Sequence, residues 1–436
     1  MKIYVLLLII VLNLVKSETI CENSDCKCTY YNTSIVAKCS FLTDSSKNFT
    51  LSNDITTLDW SENKLTYIEP ITSTTLEELR LNKNTLKEIN SDIFNVPQLK
   101  SLDLSDNLLE NLNADVFRNM KKLEILCLAN NKFSIKSQLN FSFLINLRSI
   151  NLDNNFVGPD IELRSLFKPY GYGLPETITA ISLSGVNMTD LPYNFFKPVD
   201  KNLKELTISN NGLTKLFKLP SFLEYLDISY NPIKKLNNSD FPYGDSLIYL
   251  RTLKMNGLEI TEVPKNTFFG LILFDLELEN NKNLKEFSNL TFGRQILRDS
   301  YDFYMKNLSL KGSNLSSIDY GLAVLFQRVD RLDLQNNPWY CDCNLAWVRN
   351  LSIPDDLTEN LRCSFPRHLA NLKLFDLSQS DFKCPKTQSW WLTYETGITL
   401  GATLYTILIM CTFLWIYKYL HRPTSSVNRQ EYSQLH

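Results

Sequence analysis

The chain has 436 residues, of which 44% are hydrophobic and 21% charged, and its formal charge is −2. That composition supplies apolar side chains for a large core and excludes a disordered chain or a polycation. Nucleic acid is therefore not an expected partner.

The first segment, residues 1–17, reads as a signal peptide. Lys2 gives the positive start, residues 3–12 the apolar run, and Val15 and Ser17 stand before a cleavage point at Glu18. Residues 18–54 hold Cys21, Cys26, Cys28 and Cys39. In an oxidising compartment so many cysteines in a small segment predict a disulfide-dependent lid, with three pairings open.

Residues 55–337 repeat one unit. In the copy at Leu99, Leu102, Leu104 and Asn107, leucine spacings of three and two place apolar side chains on one side of a short strand, and the asparagine falls where the strand turns. Its amide both donates and accepts, so a column of such asparagines can satisfy loop backbone that stacking buries. Copies begin at Ile55, Leu76, Leu99, Leu123, Leu147, Ile178, Leu203, Leu223, Leu250, Leu273, Met305 and Val329. Asn63, Asn84, Asn107, Asn131, Asn155, Asn211, Asn231, Asn281 and Asn337 keep register, whereas Val186, Leu258 and Ser313 replace the asparagine. This period is that of leucine-rich repeats, one strand per repeat on the inside of a solenoid. Residues 157–176, with Gly158-Pro159 and Gly171-Tyr172-Gly173, read as an inserted loop. The aromatic pairs Phe141 and Phe143, Phe195 and Phe196, and Phe268 and Phe269 fall on the return segments, as filler of the convex side.

Residues 338–385 carry Cys341, Cys343, Cys363 and Cys384 and form the second lid. A stalk at 386–396 leads into the apolar stretch 397–417, about as long as the roughly 20 residues that cross a bilayer as a helix. Trp390, Trp391 and Tyr394 precede it, Trp415, Tyr417 and Tyr419 close it, and Lys418, His421 and Arg422 follow. Aromatic belts and the positive-inside rule predict a single-pass type I span, with residues 418–436 in the cytoplasm. Gly397 and Gly401 have a small-xxx-small spacing, which suggests a lateral helix partner. Tyr432 and Leu435 fit a tyrosine-based endocytic sorting signal, and the tail is too short for a signalling domain. Asn32, Asn48, Asn140, Asn187, Asn237, Asn289, Asn307, Asn314 and Asn350 begin N-glycosylation sequons, all between the two apolar segments. Removing the +2 of Lys2 and Lys16 and the net +2 of the tail from the chain's −2 leaves the segment between near −6.

The run from Asn337 through Trp339, Cys341, Cys343 and Trp347 to Val348 resembles the C-terminal flanking cap of extracellular leucine-rich-repeat proteins, and residues 21–39 resemble their N-terminal cap. The resemblance covers about residues 20–385. It implies an α/β leucine-rich-repeat solenoid of about 12 repeats with a parallel concave sheet, disulfide caps and one transmembrane helix. It also implies the pairs Cys21–Cys28, Cys26–Cys39, Cys341–Cys363 and Cys343–Cys384, and a plasma-membrane glycoprotein.

Twelve strands spaced about 4.8 Å apart make an arc of about 50 Å, wide enough for a folded protein domain. Two places on that face stand out. Asp275, Glu277 and Glu279 turn three carboxylates outward, suited to a basic partner. Ile125, Cys127 and Ala129 are apolar where solvent is expected, and Cys127 is unpaired by count, which suggests disulfide capture of a partner. Paired acids also suggest glycoside hydrolysis or calcium binding. An open strand gives them no enclosing pocket, however, and Lys254 and Lys311 are placed to neutralise them. Asn307 shares the face, and a glycan there would push a ligand toward the earlier repeats. Between the apolar segments stands one histidine, His368, with no phosphate-binding glycine loop and no nucleophile elbow, so no enzyme, cofactor or resident metal is expected. The expected function is that of a receptor, co-receptor or adhesion glycoprotein for an extracellular protein. The alternatives are a modulatory subunit of another membrane receptor or channel, and an innate immune recogniser of microbial surfaces.

Overall fold

A computed structural model describes residues 19–422 other than 23, 33, 43–50, 138, 168–170, 238, 242–248, 295–302 and 385–389. The signal segment, the Asn48 sequon, residues 386–389 of the stalk and the Tyr432 and Leu435 motif lie outside the described residues. The chain divides into two compact units between Phe382 and Lys383.

The first unit is built on a 14-stranded sheet whose spatial order follows the chain. Strands β1 (Cys26–Tyr31) and β2 (Ser34–Cys39) form an antiparallel hairpin, and β2 runs parallel to β3 (Ile55–Asp59). The parallel series continues through β4 (Glu78–Arg80), β5 (Ser101–Asp103), β6 (Ile125–Cys127), β7 (Ser149–Asn151), β8 (Ala180–Ser182) and β9 (Glu205–Thr207). It ends with β10 (Tyr225–Asp227), β11 (Thr252–Lys254), β12 (Asp275–Glu277), β13 (Asn307–Ser309) and β14 (Arg331–Asp333). Each of the twelve repeats thus gives one strand. The central residues stack in register, as Leu79, Leu102, Leu126 and Ile150 do, and are buried throughout. Burying each such side chain contributes about 1.5–3 kcal/mol, which no single three-residue strand could gain by itself.

The asparagine column joins each repeat to the one before it. Asn107 Nδ2 donates to the carbonyls of Leu104 in its own repeat (3.1 Å) and Leu81 in the preceding one (3.0 Å), while its Oδ1 accepts from Leu86 N–H (3.1 Å). All nine asparagines are buried and make the same reciprocal pair of bonds to the preceding turn, from Asn63 at one end to Asn337 at the other.

The residue before each ladder position is left-handed. Glu62, Lys83, Asp106, Asn130, Asn154, Asn210, Tyr230, Asn280 and Asn336 all have φ between 52° and 59°. In the three repeats that lack the asparagine, the same place is held by Gly185, Gly257 and Gly312, with φ of 64°, 61° and 66°. A side chain in that conformation costs about 1–2 kcal/mol, which the ladder bonds of the following asparagine offset. Where those bonds are absent, after Gly185 and Gly257, or reduced to the one from Ser313 Oγ to Leu278 O (3.0 Å), after Gly312, glycine removes the cost instead.

The segment 157–176 is only partly a loop. Residues Gly158–Arg164 form helix α1, with Pro159 in its first turn and Gly158 N–H bonded to Val186 O at 2.9 Å. The Gly-Pro pair that suggests a turn is a helix start, because proline's fixed φ and missing N–H suit the first helical position. A Cβ on Gly158 would come within 2.6 Å of Val186 O, so glycine is required for this approach. Tyr172 is buried beneath the insertion, under the Arg164 guanidinium, and Arg164 pairs with Asp160 at 2.8 Å. Phe141, Phe195, Phe196 and Phe268 are buried in the core, while Phe143 and Phe269 are half-buried.

Disulfides Cys21–Cys28 and Cys26–Cys39 close the first lid, and Cys341–Cys363 closes the second. Cys343 and Cys384 are also disulfide-bonded. In the second unit, helix α2 (Trp390–Leu420) starts before the apolar stretch and runs past its end. Its part Gly397–Leu420 is 24 residues, long and apolar enough to cross a membrane.

Candidate ligand-binding face

Strand register lines up the residues between the last two apolar positions of every repeat. The column runs Asp59, Arg80, Asp103, Cys127, Asn151, Ser182, Thr207, Asp227, Lys254, Glu277, Ser309 and Asp333. These side chains point away from the leucine stack and form the polar face of the sheet.

The apolar candidates separate. Ile125 is 50% exposed and Cys127 is a half-buried free thiol, whereas Ala129 is only 6% exposed. Ala129 therefore does not present itself to a ligand. Strand β6 ends at Cys127, and the chain then turns through left-handed Asn130, which breaks the alternation. Its counterparts Ser105, Ser209 and Ser229 are buried for the same reason. Burial raises the Cys127 thiol above its ordinary pKa, and Asp103 adds to the effect, so the nucleophilic thiolate is disfavoured.

Asp275, Glu277 and Glu279, on β12 and just beyond it, line an open depression of about 540 Å³ together with Tyr225, Lys254, Asn307, Arg331 and Leu357. Glu277 is held by Lys254 Nζ at 2.9 Å and Asn256 Nδ2 at 2.8 Å. Glu279 accepts from Ser309 Oγ (2.7 Å), and Asp275 accepts from Thr252 Oγ1 (3.1 Å) and the Asn307 amide. Lys311 reaches Asp333 at 3.9 Å, not the three acids, and Arg331 is drawn to Asp356 at 2.6 Å. The lining holds four carboxylates and two cations, so the depression is net negative.

Among the sequons, Asn32, Asn187, Asn237, Asn307 and Asn350 are exposed, and Asn140, Asn289 and Asn314 are half-buried. His368 is exposed in the second lid. Among the described residues, no group of three or more His, Cys, Asp or Glu side chains is placed to hold a metal ion. Gly397 and Gly401 on α2 face open space.

These features define a protein of stacked parallel turns, sealed at both ends by cystines, with one polar sheet face. The chain is similar to leucine-rich-repeat proteins over part of its length. It matches the family Leucine rich repeat over residues 74–133 and 97–157, and Leucine rich repeat C-terminal domain over residues 360–385. Trophoblast glycoprotein of Macaca fascicularis is 23% identical over 281 residues, spanning 56% of this chain and 64% of the relative. Tsukushi of Gallus gallus is 29% identical over 266 residues, spanning 59% of this chain and 67% of the relative. The match with the macaque protein thus takes in less than two thirds of its length. Among solved structures, the TLR13–ssRNA13 complex has the same fold at 24% identity and a TM-score of 0.53, covering 76% of this chain and 50% of that one.

Proposed function

We propose that the protein is a single-pass type I glycoprotein of the plasma membrane that binds an extracellular protein through the sheet face and has no catalytic output. In this reading residues 1–17 direct secretion and 397–417 anchor the chain. The observation that carries it is the acidic depression over β10–β14. Asp275 and Glu279 bond there to hydroxyls and an amide, and so keep their charge available to a basic segment of a ligand. Ile125 supplies an exposed apolar contact on the same sheet.

The test begins with proximity labelling of the full chain on living cells to identify its neighbour. Reversing Asp275, Glu277 and Glu279 to lysine is expected to abolish capture of that neighbour, and Ile125→Trp to weaken it. Capture that survives both changes removes the site from this face. Because Asn307 lines the depression, a glycan at that residue and a ligand at Asp275 exclude one another. Glycopeptide mass spectrometry showing full occupancy of Asn307 would move the contact to the strands before β12.

A further inference from the structure

A depression of about 910 Å³ lies away from the sheet face. One wall comes from the return stretches 285–288 and 317–320 of two successive repeats, the other from the second lid, including the 3-10 turn Ala346–Asn350. Its volume is within the roughly 300–1,000 Å³ of ordinary ligand sites. Its lining is mainly polar, with Asp319, Asn344 and Gln379 offering carboxylate and amide groups. On this lining Tyr320 stands 70% exposed, its ring edge-on to Trp347 at 5.9 Å. A bare aromatic face among side-chain amides and carboxylates suits a saccharide, whose C–H faces pack on rings and whose hydroxyls need donors and acceptors. Asn350, exposed and heading the sequon Asn350-Leu351-Ser352, lines the same depression.

We infer that the depression is the seat of the N-glycan carried by Asn350, whose first sugars lie against Tyr320 and bridge the last repeats to the lid. The inference rests on the secretory route proposed above. A lipid pyrophosphate-linked oligosaccharide supplies the sugar. The bond from Nδ2 to sugar C1 forms, the C1–O bond to pyrophosphate breaks, and Nδ2 gives up one proton. Tethering favours this occupant over free saccharide, because a short link holds the sugar at an effective concentration on the order of millimolar. Contacts too weak to capture a sugar from solution are then enough. The bound glycan shields the junction where the repeats meet the lid.

The test uses the full chain secreted through mammalian cells, as wild type, Tyr320→Ala and Ser352→Ala. Glycopeptide mass spectrometry is expected to find Asn350 occupied in the first two and empty in the third. Endoglycosidase release of the Asn350 glycan from the native protein should be about tenfold faster in Tyr320→Ala, because the docked fraction falls. Amide exchange of residues 317–320 and 343–350 should rise in both variants. Ser352→Ala leaves the depression itself intact, so its result stands even where Tyr320→Ala folds poorly. An occupied Asn350 released equally fast from wild type and Tyr320→Ala, with equal exchange in all three forms, overturns the docking. An empty Asn350 beside occupied Asn187 and Asn237 overturns it too, while emptiness at every sequon overturns the secretory reading with it.

Discussion

Gly257 lies against the ring of Tyr230 one repeat earlier, so closely that an added Cβ would stand 2.4 Å from Tyr230 Cδ1. Both residues hold the left-handed place in their turns. Tyr230 is followed by Asn231, whose Nδ2 bonds Ile208 O at 3.0 Å, whereas Gly257 is followed by Leu258, which has no such amide. Gly257→Ala is therefore expected to destabilise the protein by at least about 1–2 kcal/mol, the cost of a side chain at that φ. In a Tyr230→Ala background the cost should fall toward that figure, because the steric part is gone. A double-mutant cycle in denaturant measures the difference, and additive costs would contradict the contact.

Replacing a ladder asparagine removes its bonds without touching the leucine stack. In Asn107→Ala the carbonyl of Leu81 keeps Asn84 Nδ2 and that of Leu104 keeps Asn131 Nδ2, so the N–H of Leu86 is the group left buried without its partner. The expected loss is about 1–3 kcal/mol. Asn107→Asp should lose more, because it sets a carboxylate against the carbonyl oxygens of Leu81, Leu104 and Ser105. Urea unfolding orders the two variants, and a milder Asp form would show that the amide donor contributes little.

The strands and the asparagine column are legible in the sequence because both depend on local spacing: a leucine two residues on is on the same side of any strand. The glycines at 185, 257 and 312 were equally visible, one place before each missing asparagine, but their meaning needs the φ of that turn. Ala129 misleads because alternation stops where β6 ends, and the burial of that turn comes from neighbouring repeats. The depression at β12 is beyond local reading, since Arg331 and Leu357 are more than fifty residues from Asp275 and arrive by stacking.

The separation of Ile125 from Ala129 gives opposite expectations for two neighbours. Ile125→Glu should leave stability within about 0.5 kcal/mol, as exposed positions do. Ala129→Leu should cost about 1–3 kcal/mol by overpacking a buried turn. Thermal midpoints of the full chain in detergent compare them, and equal sensitivity would place both residues in one environment.

Asp153 shows how the face responds to acid. Burial raises its pKa above 3.8, and bonds from Ser182 Oγ (2.7 Å) and Ser184 N–H (2.6 Å) offset this only in part. The folded protein therefore takes up this proton at higher pH than the unfolded chain does. Stability from this group is present below the unfolded pKa and declines as pH rises through the folded value. Asp153→Asn removes that titration. Its melting temperature relative to wild type should be higher at pH 7 than at pH 3.5, with the shift falling between the two pKa values. A relative midpoint that instead rises on acidification would mean that the bonds from Ser182 and Ser184 outweigh burial and hold Asp153 as a stabilised carboxylate.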